Sequence, residues 1–324
     1  MTQPGYVFIV GSSRTGTSVL RSTLNCSDDV AICNETHFFG GPTTAANLLR
    51  NILGDSGKVA QWGETLLLRR LATPGLWQKL AEVGDISTDV GAKKIVDTIY
   101  DSCGRWAPER VGREDFLRRL LASDRSERSL FDLCMTLYAN GKPIRGEKTP
   151  AHVHYVPTLL EWFPNAKIIH TFRDPRTIFV LKKREPHVQQ SYTRRYRLFQ
   201  RSTAIFELYL SLDVIITWLR VVQLHHQYQQ RCPGRYYLLK SEDLVSDPRA
   251  YLKRLCDFLE IDFTEGMLQR AVQDPDFRPC AQVQDSGASA STTDCWRGHL
   301  HPVTNRWFVW LCRKHLVEFG YPLW

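Results

Sequence analysis

The stretch Tyr6–Leu20 constrains the fold of this chain more than any other part of its sequence. It begins with Tyr6–Val10, a short continuous run of aromatic and β-branched residues that is typical of a central parallel strand covered on both faces. Gly11 and Gly16 then bound a short loop that leads into a segment with helical spacing. Glycine reaches backbone conformations that other residues adopt only at a cost, so the amide N–H groups of this loop can converge in front of the helix, where the dipole favours an anion. The sequence therefore predicts a phosphate-binding loop between a buried strand and a helix.

The spacing of Gly11, Gly16, Thr17 and Ser18 follows the nucleotide P-loop pattern except at one position. Thr17 stands where nucleoside-triphosphate enzymes have a lysine that reaches the β- and γ-phosphates. The positive charge lies inside the loop instead, at Arg14, whose planar guanidinium suits an anion with two acceptor oxygens. The missing lysine argues against ATP or GTP chemistry, and a P-loop kinase of a small metabolite is kept as the alternative hypothesis.

The loop sequence Gly-Ser-Ser-Arg-Thr-Gly-Thr-Ser resembles the 5′-phosphosulfate loop of the sulfotransferases that use 3′-phosphoadenosine 5′-phosphosulfate (PAPS). The resemblance extends over most of the chain. It implies a single α/β domain over residues 1–324, with a central parallel β-sheet flanked by helices in the P-loop-like sulfotransferase fold. Residues 43 to about 140 carry amphipathic helical stripes and are expected to form a helical insertion that shapes the acceptor pocket. The resemblance implies that the loop residues bind the cofactor: Gly11, Ser12, Ser13, Arg14, Thr15, Gly16, Thr17 and Ser18.

Two later stretches carry the same resemblance. Lys148, in a Lys-Thr-Pro sequence, resembles the family lysine that contacts the sulfuryl group being transferred. Arg173, in an Arg-Asp-Pro sequence after a strand-like run, resembles the arginine that binds the 3′-phosphate, and a guanidinium can offer that group two parallel N–H bonds. The chain departs from the family pattern at Leu181, because the family usually has a serine eight residues after this arginine. Lys182 or Ser191 could take over the role of that serine.

The resemblance also implies the chemistry of the reaction, an in-line displacement in which preorganised positive charge stabilises the charge that spreads over the equatorial oxygens. Glu35 follows the second predicted strand, and in open parallel sheets the reactive groups gather at the carboxyl ends of strands. The resemblance implies that Glu35 is the general base, because many members of the family have a glutamate after the second strand. His37 is the alternative, because cytosolic members use a histidine, and Arg14 and Lys148 complete the catalytic set that the resemblance implies. The expected product is 3′-phosphoadenosine 5′-phosphate (PAP). No metal is expected, because no cluster with metal-ligand spacing is visible.

The charge of the chain suits an anionic ligand. Its formal net charge is +8 and its isoelectric point about 9.0, a balance that also fits nucleic acid or an acidic membrane. Basic and aromatic residues alternate between residues 182 and 201, a composition that can bind nucleic acid. We interpret this tract as a positive wall beside an anionic cofactor or as a solvated helical face, and we expect no nucleic-acid partner. The acceptor is expected to carry a hydroxyl or an amine.

Cysteine usage and hydropathy indicate a cytoplasmic protein. The nine cysteines are scattered singly without a CxxC pair, which favours free thiols in a reducing compartment. The first strand is predicted within six residues of Met1, which leaves no room for a signal peptide. The most apolar long window, Ile205–Leu224, contains three charged residues and does not read as a membrane span. A third hypothesis, encouraged only by Leu181, is an anion-binding module that has lost catalysis.

Overall fold

The computed structural model describes residues 5–53, 72–102, 112–185, 202–274, 277 and 296–324. Its strands are β1 (Gly5–Gly11), β2 (Val30–Cys33), β3 (Gly41–Pro42), β4 (Ala72–Thr73), β5 (Ile144–Lys148), β6 (Lys167–Phe172) and β7 (Tyr236–Lys240). The main sheet has the order β2-β5-β1-β6-β7, and each neighbouring pair in it is parallel. Strands β3 and β4 form a separate antiparallel pair. The predicted central parallel sheet is confirmed.

Helices cover both faces of this sheet. The described α-helices are α1 (Thr17–Leu24), α2 (Thr44–Leu53), α3 (Leu76–Val83), α4 (Asp89–Ser102), α5 (Arg113–Leu121), α6 (Glu127–Ala139), α7 (Val156–Trp162), α8 (Pro175–Lys183), α9 (Thr203–Arg231), α10 (Ser241–Ser246), α11 (Pro248–Leu259), α12 (Glu265–Gln273) and α13 (Pro302–Glu318). Two short 3₁₀ segments, Pro150–Tyr155 and Pro233–Arg235, complete the described helical structure. In the part of the chain that the structure describes, no helix combines the length and the apolarity needed to cross a bilayer.

Strand β1 is apolar throughout because each of its faces packs against a different core. Phe8 and Val10 belong to the larger core, which includes residues of α6, α9 and α13. Val7 and Ile9 belong to the smaller core, which includes residues of α1 and α11. All four side chains are buried. A strand covered on both faces has no position for a polar side chain, which accounts for the continuous apolar run in the sequence.

The segment between β2 and β5 is mainly helical in its described parts, as the amphipathic stripes predict. It contributes α2 to α6, of which α6 buries Phe131 and Met135 in the larger core. Helix α2 packs against the long helix α9. One of the amphipathic stripes, formed by Leu66, Leu67, Leu68 and Leu71, lies outside the described residues. The cysteines within the described residues are free, and only Cys26 among them is exposed.

Candidate active site

The parallel strands of the main sheet end at one edge, and the segments that follow them form a cavity. Ile9 on β1 is in register with Lys148 on β5, and Gly11 is in register with Thr171 on β6. The cavity has a volume of about 930 Å³, and its wall includes His37 and most of the predicted site residues: Gly11, Ser12, Ser13, Arg14, Gly16, Thr17, Ser18, Glu35 and Arg173. The structure therefore brings these residues together at the carboxyl ends of the parallel strands, where their positions in the sequence led us to expect them.

The glycines of the loop are required by its geometry. Gly11 has a φ of +149°, and a Cβ at this position would lie 2.4 Å from the carbonyl oxygen of Thr171. Gly16 has a φ of +78° and forms the N-cap of α1. No side chain of the described residues caps this helix, so its first N–H groups remain available to a ligand. Together with the helix dipole, these groups favour an anion in the cavity.

Side chains of β6, of the residue that follows it and of α10 hold the loop in place through hydrogen bonds. Thr15 Oγ1 donates to the Ser12 carbonyl oxygen at 2.6 Å, and it also lies 2.6 Å from Thr171 Oγ1. Ser241 Oγ donates to the Thr15 carbonyl oxygen at 2.7 Å. Arg173 Nη1 donates to the Arg14 carbonyl oxygen at 2.8 Å, so this arginine touches the loop and the cavity at once. The side chain of Thr15 is thus buried under the loop, and only its backbone can face a ligand.

One buried polar atom of the loop shows whether a phosphate or sulfate group fits there. Ser12 Oγ is buried and has no hydrogen-bond partner among the described residues, although Ser12 lines the cavity. Buried hydroxyl groups are nearly always hydrogen-bonded in native proteins. A phosphate or sulfate oxygen at the head of α1 would satisfy this hydroxyl, so the loop fits the 5′-phosphosulfate of PAPS.

Glu35 lies between two basic groups. One of its carboxylate oxygens pairs with Lys148 Nζ, and the other lies 3.1 Å from His37 Nε2. Lys148 Nζ also lies 3.4 Å from Ser18 Oγ, which puts the ammonium directly under the head of α1. Burial opposes the charged form of Glu35, but the hydrogen bond to His37 and the charge of Lys148 outweigh it and lower the pKa to about 2. Glu35 is therefore charged in the free protein.

The segment that carries Glu35 is held in place by the buried carboxylate of Glu147. Glu147 accepts hydrogen bonds from the Thr36 amide at 2.9 Å and from Thr36 Oγ1 at 3.1 Å, and it pairs with His152 Nδ1 at 3.0 Å. Burial disfavours its charged form, but the charge and hydrogen bond of His152 and the further hydrogen bonds lower its pKa. Because Glu147 belongs to β5, next to Lys148, this network fixes Glu35 relative to the lysine.

Carboxylates neutralise two other cations of the cavity. The guanidinium of Arg14 pairs with Glu185, and Lys182 Nζ lies 3.5 Å from Asp213. These two ion pairs, and the pair of Lys148 with Glu35, each place a carboxylate next to a basic side chain of the site. An anionic ligand must therefore compete with carboxylates of the chain itself. The competition gives the site a preference for strongly charged, multidentate anions over simple ones.

The Arg-Asp-Pro-Arg sequence divides its side chains between the cavity and the core. Arg173 lines the cavity, whereas Asp174 caps α8 and pairs with the fully buried Arg176 at 2.6 Å. The Trp296 ring lies against the Arg176 guanidinium, 3.7 Å from its centroid to Cζ. Glu242 accepts a hydrogen bond from the Asp174 amide at 2.9 Å. The second arginine of the motif is therefore a packing residue.

The position of the missing serine lies at the cavity wall. Leu181 and Lys182 both line the cavity, so Lys182 is placed where it could meet an anionic ligand. Lys183 turns away to pair with Glu207 at 2.6 Å. Ser191 and the basic residues from 194 to 201 lie outside the described residues, so their predicted roles stay predictions.

Sequence analysis missed the contribution of α9 to the cavity. Tyr209, Asp213, Thr217 and Val221 recur at every fourth position and line one wall. The signal was available in the sequence, because Tyr209, Asp213 and Thr217 recur at a spacing of four residues and therefore lie on one side of the helix. Sequence analysis also missed Thr171 and Ser241, whose hydroxyl groups contact the loop. Both lie at the carboxyl ends of strands, so the position that drew attention to Glu35 could have indicated them as well.

Comparison with solved structures shows which known fold this is. The chain matches the sulfotransferase domain of the olefin synthase from Synechococcus PCC 7002 with a TM-score of 0.50 and 18% identity, over 99% of this chain and 97% of that one. It matches the sulfotransferase domain from the curacin biosynthetic pathway with a TM-score of 0.51 and 17% identity, over 99% of this chain and all of that one. The predicted P-loop-like sulfotransferase fold is confirmed.

Comparison of sequences adds the family. The omega-hydroxy-beta-dihydromenaquinone-9 sulfotransferases Stf3 of Mycobacterium bovis and Mycobacterium tuberculosis are each 29% identical to this chain over 150 residues, or 45% of the chain. The matched region spans only 36% of the length of those relatives. The sequence profile described as the sulfotransferase family matches residues 4–265. Because this match covers well over half of the sequence, the chain belongs to the sulfotransferase family.

Proposed function

We propose that this chain transfers the sulfuryl group of PAPS to a hydroxyl or amine acceptor by in-line displacement. The proposal rests chiefly on one observation, that the glycine-bounded loop and Glu35 line one cavity and that the buried Lys148 ammonium, behind its wall, contacts both Glu35 and Ser18 of the loop. PAPS would supply a sulfuryl group already activated by its bond to a phosphate leaving group. The chain then has to bind and orient two ligands, stabilise charge and remove one proton.

Binding of the nucleotide is assigned to the loop and to Arg173. The uncapped amides of α1, the Ser12 hydroxyl and the Arg14 guanidinium would hold the 5′-phosphosulfate. Arg173 would bind the 3′-phosphate, since its guanidinium lines the cavity while it holds the Arg14 carbonyl. This double contact would couple nucleotide binding to the shape of the loop.

Catalysis is assigned to Lys148 and Glu35. Lys148 would neutralise the charge that develops on the transferred group, and Glu35 would accept the proton of the acceptor. The two groups neutralise each other in the free protein, and the hydrogen bond from His37 together with the charge of Lys148 lowers the pKa of Glu35 to about 2. A bound anion would compete for the ammonium and thereby raise the basicity of Glu35 as the site fills. His37 would then orient the carboxylate through its second oxygen, or serve as the base in its place.

The acceptor is expected to enter along the wall formed by α2 and α9. This wall carries hydroxyl, amide and carboxylate groups together with apolar surface: Thr44, Ala45, Asn47, Tyr209, Asp213, Thr217 and Val221. The mycobacterial relatives are named for an acceptor with an ω-hydroxyl group. That name supports a hydroxyl over an amine as the group that this chain sulfates.

Calorimetry with PAP tests the proposal, alongside release of PAP from PAPS in the presence of a panel of alcohols. We expect the wild-type protein to bind PAP and Arg173→Ala to bind it more weakly. ATP turnover with Mg²⁺ and no PAP binding would overturn the proposal in favour of the P-loop kinase. PAP binding without sulfuryl transfer to any acceptor would instead support an anion-binding module.

A further inference from the structure

Two histidines and a glutamate, none of which lines the cavity, meet where α9 and α13 are in contact. His226 lies on α9, whereas His315 and Glu318 lie one helical turn apart on α13. One ligand atom from each of the three residues can be chosen so that all of them lie within 4.8 Å of one another. We propose that these three side chains form a binding site for a divalent transition metal ion of the Zn²⁺ type.

The chemistry of the three donors selects this class of metal. Two imidazole nitrogens and one carboxylate are a frequent ligand set of Zn²⁺, whereas Mg²⁺ and Ca²⁺ prefer oxygen ligands alone. A three-residue set leaves at least one coordination position open to water. The side chains are accessible enough to take up an ion from solution, because His226 and Glu318 are each 38% exposed and His315 is 22% exposed.

Both histidines already contact the carboxylate of Glu318. Glu318 Oε1 lies 3.2 Å from His226 Nε2, and Glu318 Oε2 lies 2.8 Å from His315 Nδ1. The imidazole planes are held by packing, since the His226 ring stacks on Phe319 with centroids 6.3 Å apart and lies 5.3 Å from the His225 ring. A bound ion would replace hydrogen bonds that already hold the three groups together, so little ordering is required on binding.

A metal at this point would join two elements that are distant in the sequence. Helix α9 would be tied to the last turn of α13, just before the C-terminal residues. Those residues bind the last arginine of the Arg-Asp-Pro-Arg sequence, because Arg176 donates to the carbonyl oxygens of Pro322 at 2.5 Å and Leu323 at 3.4 Å. The ion would therefore stabilise the folded protein through the C-terminal segment, without taking part in sulfuryl transfer.

Thermal unfolding of the untagged, chelator-treated protein tests this site with Zn²⁺ as the probe. The background variant is Cys26→Ser, which removes the exposed thiol of the described residues as a competing zinc ligand. We expect Zn²⁺ in modest excess to raise the Tm by about 2–5 °C and Mg²⁺ to leave it unchanged. Co²⁺ should give the visible absorption bands of a tetrahedral complex at the same stoichiometry.

Variants locate the binding to these ligands. His226→Ala and His315→Ala should each weaken Zn²⁺ binding at least tenfold in calorimetry, while the far-ultraviolet dichroism stays that of the parent protein. His299→Ala is the matched control, because His299 is a partly exposed histidine outside the cluster, next to Arg184, and its loss should not change the affinity. Equal Zn²⁺ affinity in all four proteins, or no Zn²⁺ binding to the parent, would overturn the proposal.

Discussion

Lys148 and Glu35 form an ion pair at the head of α1 in which the lysine side chain is 2% exposed and the glutamate side chain 34% exposed. The lysine cannot reach water easily, so its charge must be balanced within the site. In the free protein this balance comes from Glu35, whose pKa of about 2 makes it a weak base. A general base is most effective when its pKa lies near the working pH. The pair therefore predicts a base that becomes active only when an anion occupies the cavity.

The first prediction concerns this base. Glu35→Gln keeps the size of the side chain and a hydrogen bond to Lys148 but cannot accept a proton. We expect kcat for sulfuryl transfer to fall about 10²- to 10⁴-fold, while PAP binds at least as tightly as in the wild type because it no longer competes with a carboxylate at position 35. The measurement is steady-state release of PAP together with calorimetry.

His37→Gln is the matched control for Glu35→Gln, because His37 contacts the other oxygen of the same carboxylate. A loss of only a few-fold in this variant would identify Glu35 as the base. The reverse order, with His37→Gln the more damaging change, would transfer the role to the histidine.

The second prediction concerns the contact of Arg173 with the loop. Arg173→Lys retains a positive charge but loses the planar fork that can hold the Arg14 carbonyl and a phosphate together. We expect the Kd for PAP to rise about 10-fold in Arg173→Lys and about 10- to 100-fold in Arg173→Ala, since hydrogen bonds to charged groups contribute roughly 1.5–3 kcal/mol. Arg249→Ala, which removes an exposed ion pair with Glu265, should leave the Kd unchanged. Equal loss in Arg173→Ala and Arg249→Ala, with no loss in Arg173→Lys, would show that only net charge matters.

Much of this site follows from short segments of sequence. Strand β1 and its loop are local features, because an apolar run and two glycines define them without help from the rest of the chain. Lys148, Arg173 and Glu35 are far apart in the sequence, but each lies at the end of a strand or just after it, and parallel strands place their carboxyl ends at one edge. The resemblance to a known family then indicated what each group would bind.

The ion pairs of the cavity could not be predicted in the same way. The pairing of Arg14 with Glu185, and of Lys182 with Asp213, depends on how α8 and α9 sit against the loop. Helical periodicity reports which face of a helix is buried, but it does not report which side chain of another element it meets. The cluster of His226 with two residues of α13 was invisible for the same reason. The single-domain assignment, the base and the cytoplasmic location stay predictions.

The third prediction uses the buried carboxyl of Glu242. Burial raises its pKa to about 7, although the nearby charge of Arg173 partly opposes this. The folded protein therefore holds a proton that the unfolded chain releases near pH 4.5, so the contribution of this group to stability is complete below pH 4.5 and is lost as the pH rises through about 7. The free energy of unfolding should fall by at most about 1.4 kcal/mol per pH unit in this window because of Glu242.

Glu242→Gln removes this dependence while it keeps an acceptor for the Asp174 amide. The stability of the variant relative to wild type should therefore increase between pH 5 and about 7 in urea unfolding. Glu265→Gln is the control, because the hydrogen bond and charge of Arg249 lower the pKa of this exposed carboxyl and it adds no slope in the same window. A difference between wild type and Glu242→Gln that is flat with pH would contradict a raised pKa.

The fourth prediction separates the two reasons for glycine at position 11. Gly11→Ala introduces a Cβ at a φ of +149° and places it 2.4 Å from the Thr171 carbonyl oxygen, whereas Gly141→Ala has a φ of +92° with no atom within 4 Å of the new Cβ. The control thus measures the backbone cost alone, which should lower the free energy of unfolding by about 1–2 kcal/mol. Gly11→Ala should lower the free energy of unfolding by at least about 3 kcal/mol, because the strain of φ and the displacement of β6 add together.

Urea unfolding gives both values, and calorimetry with PAP should show that only Gly11→Ala impairs binding. Equal losses of stability in the two variants would mean that the loop can move away from β6 without penalty, and the close packing of Gly11 on Thr171 would then have no role in shaping the site.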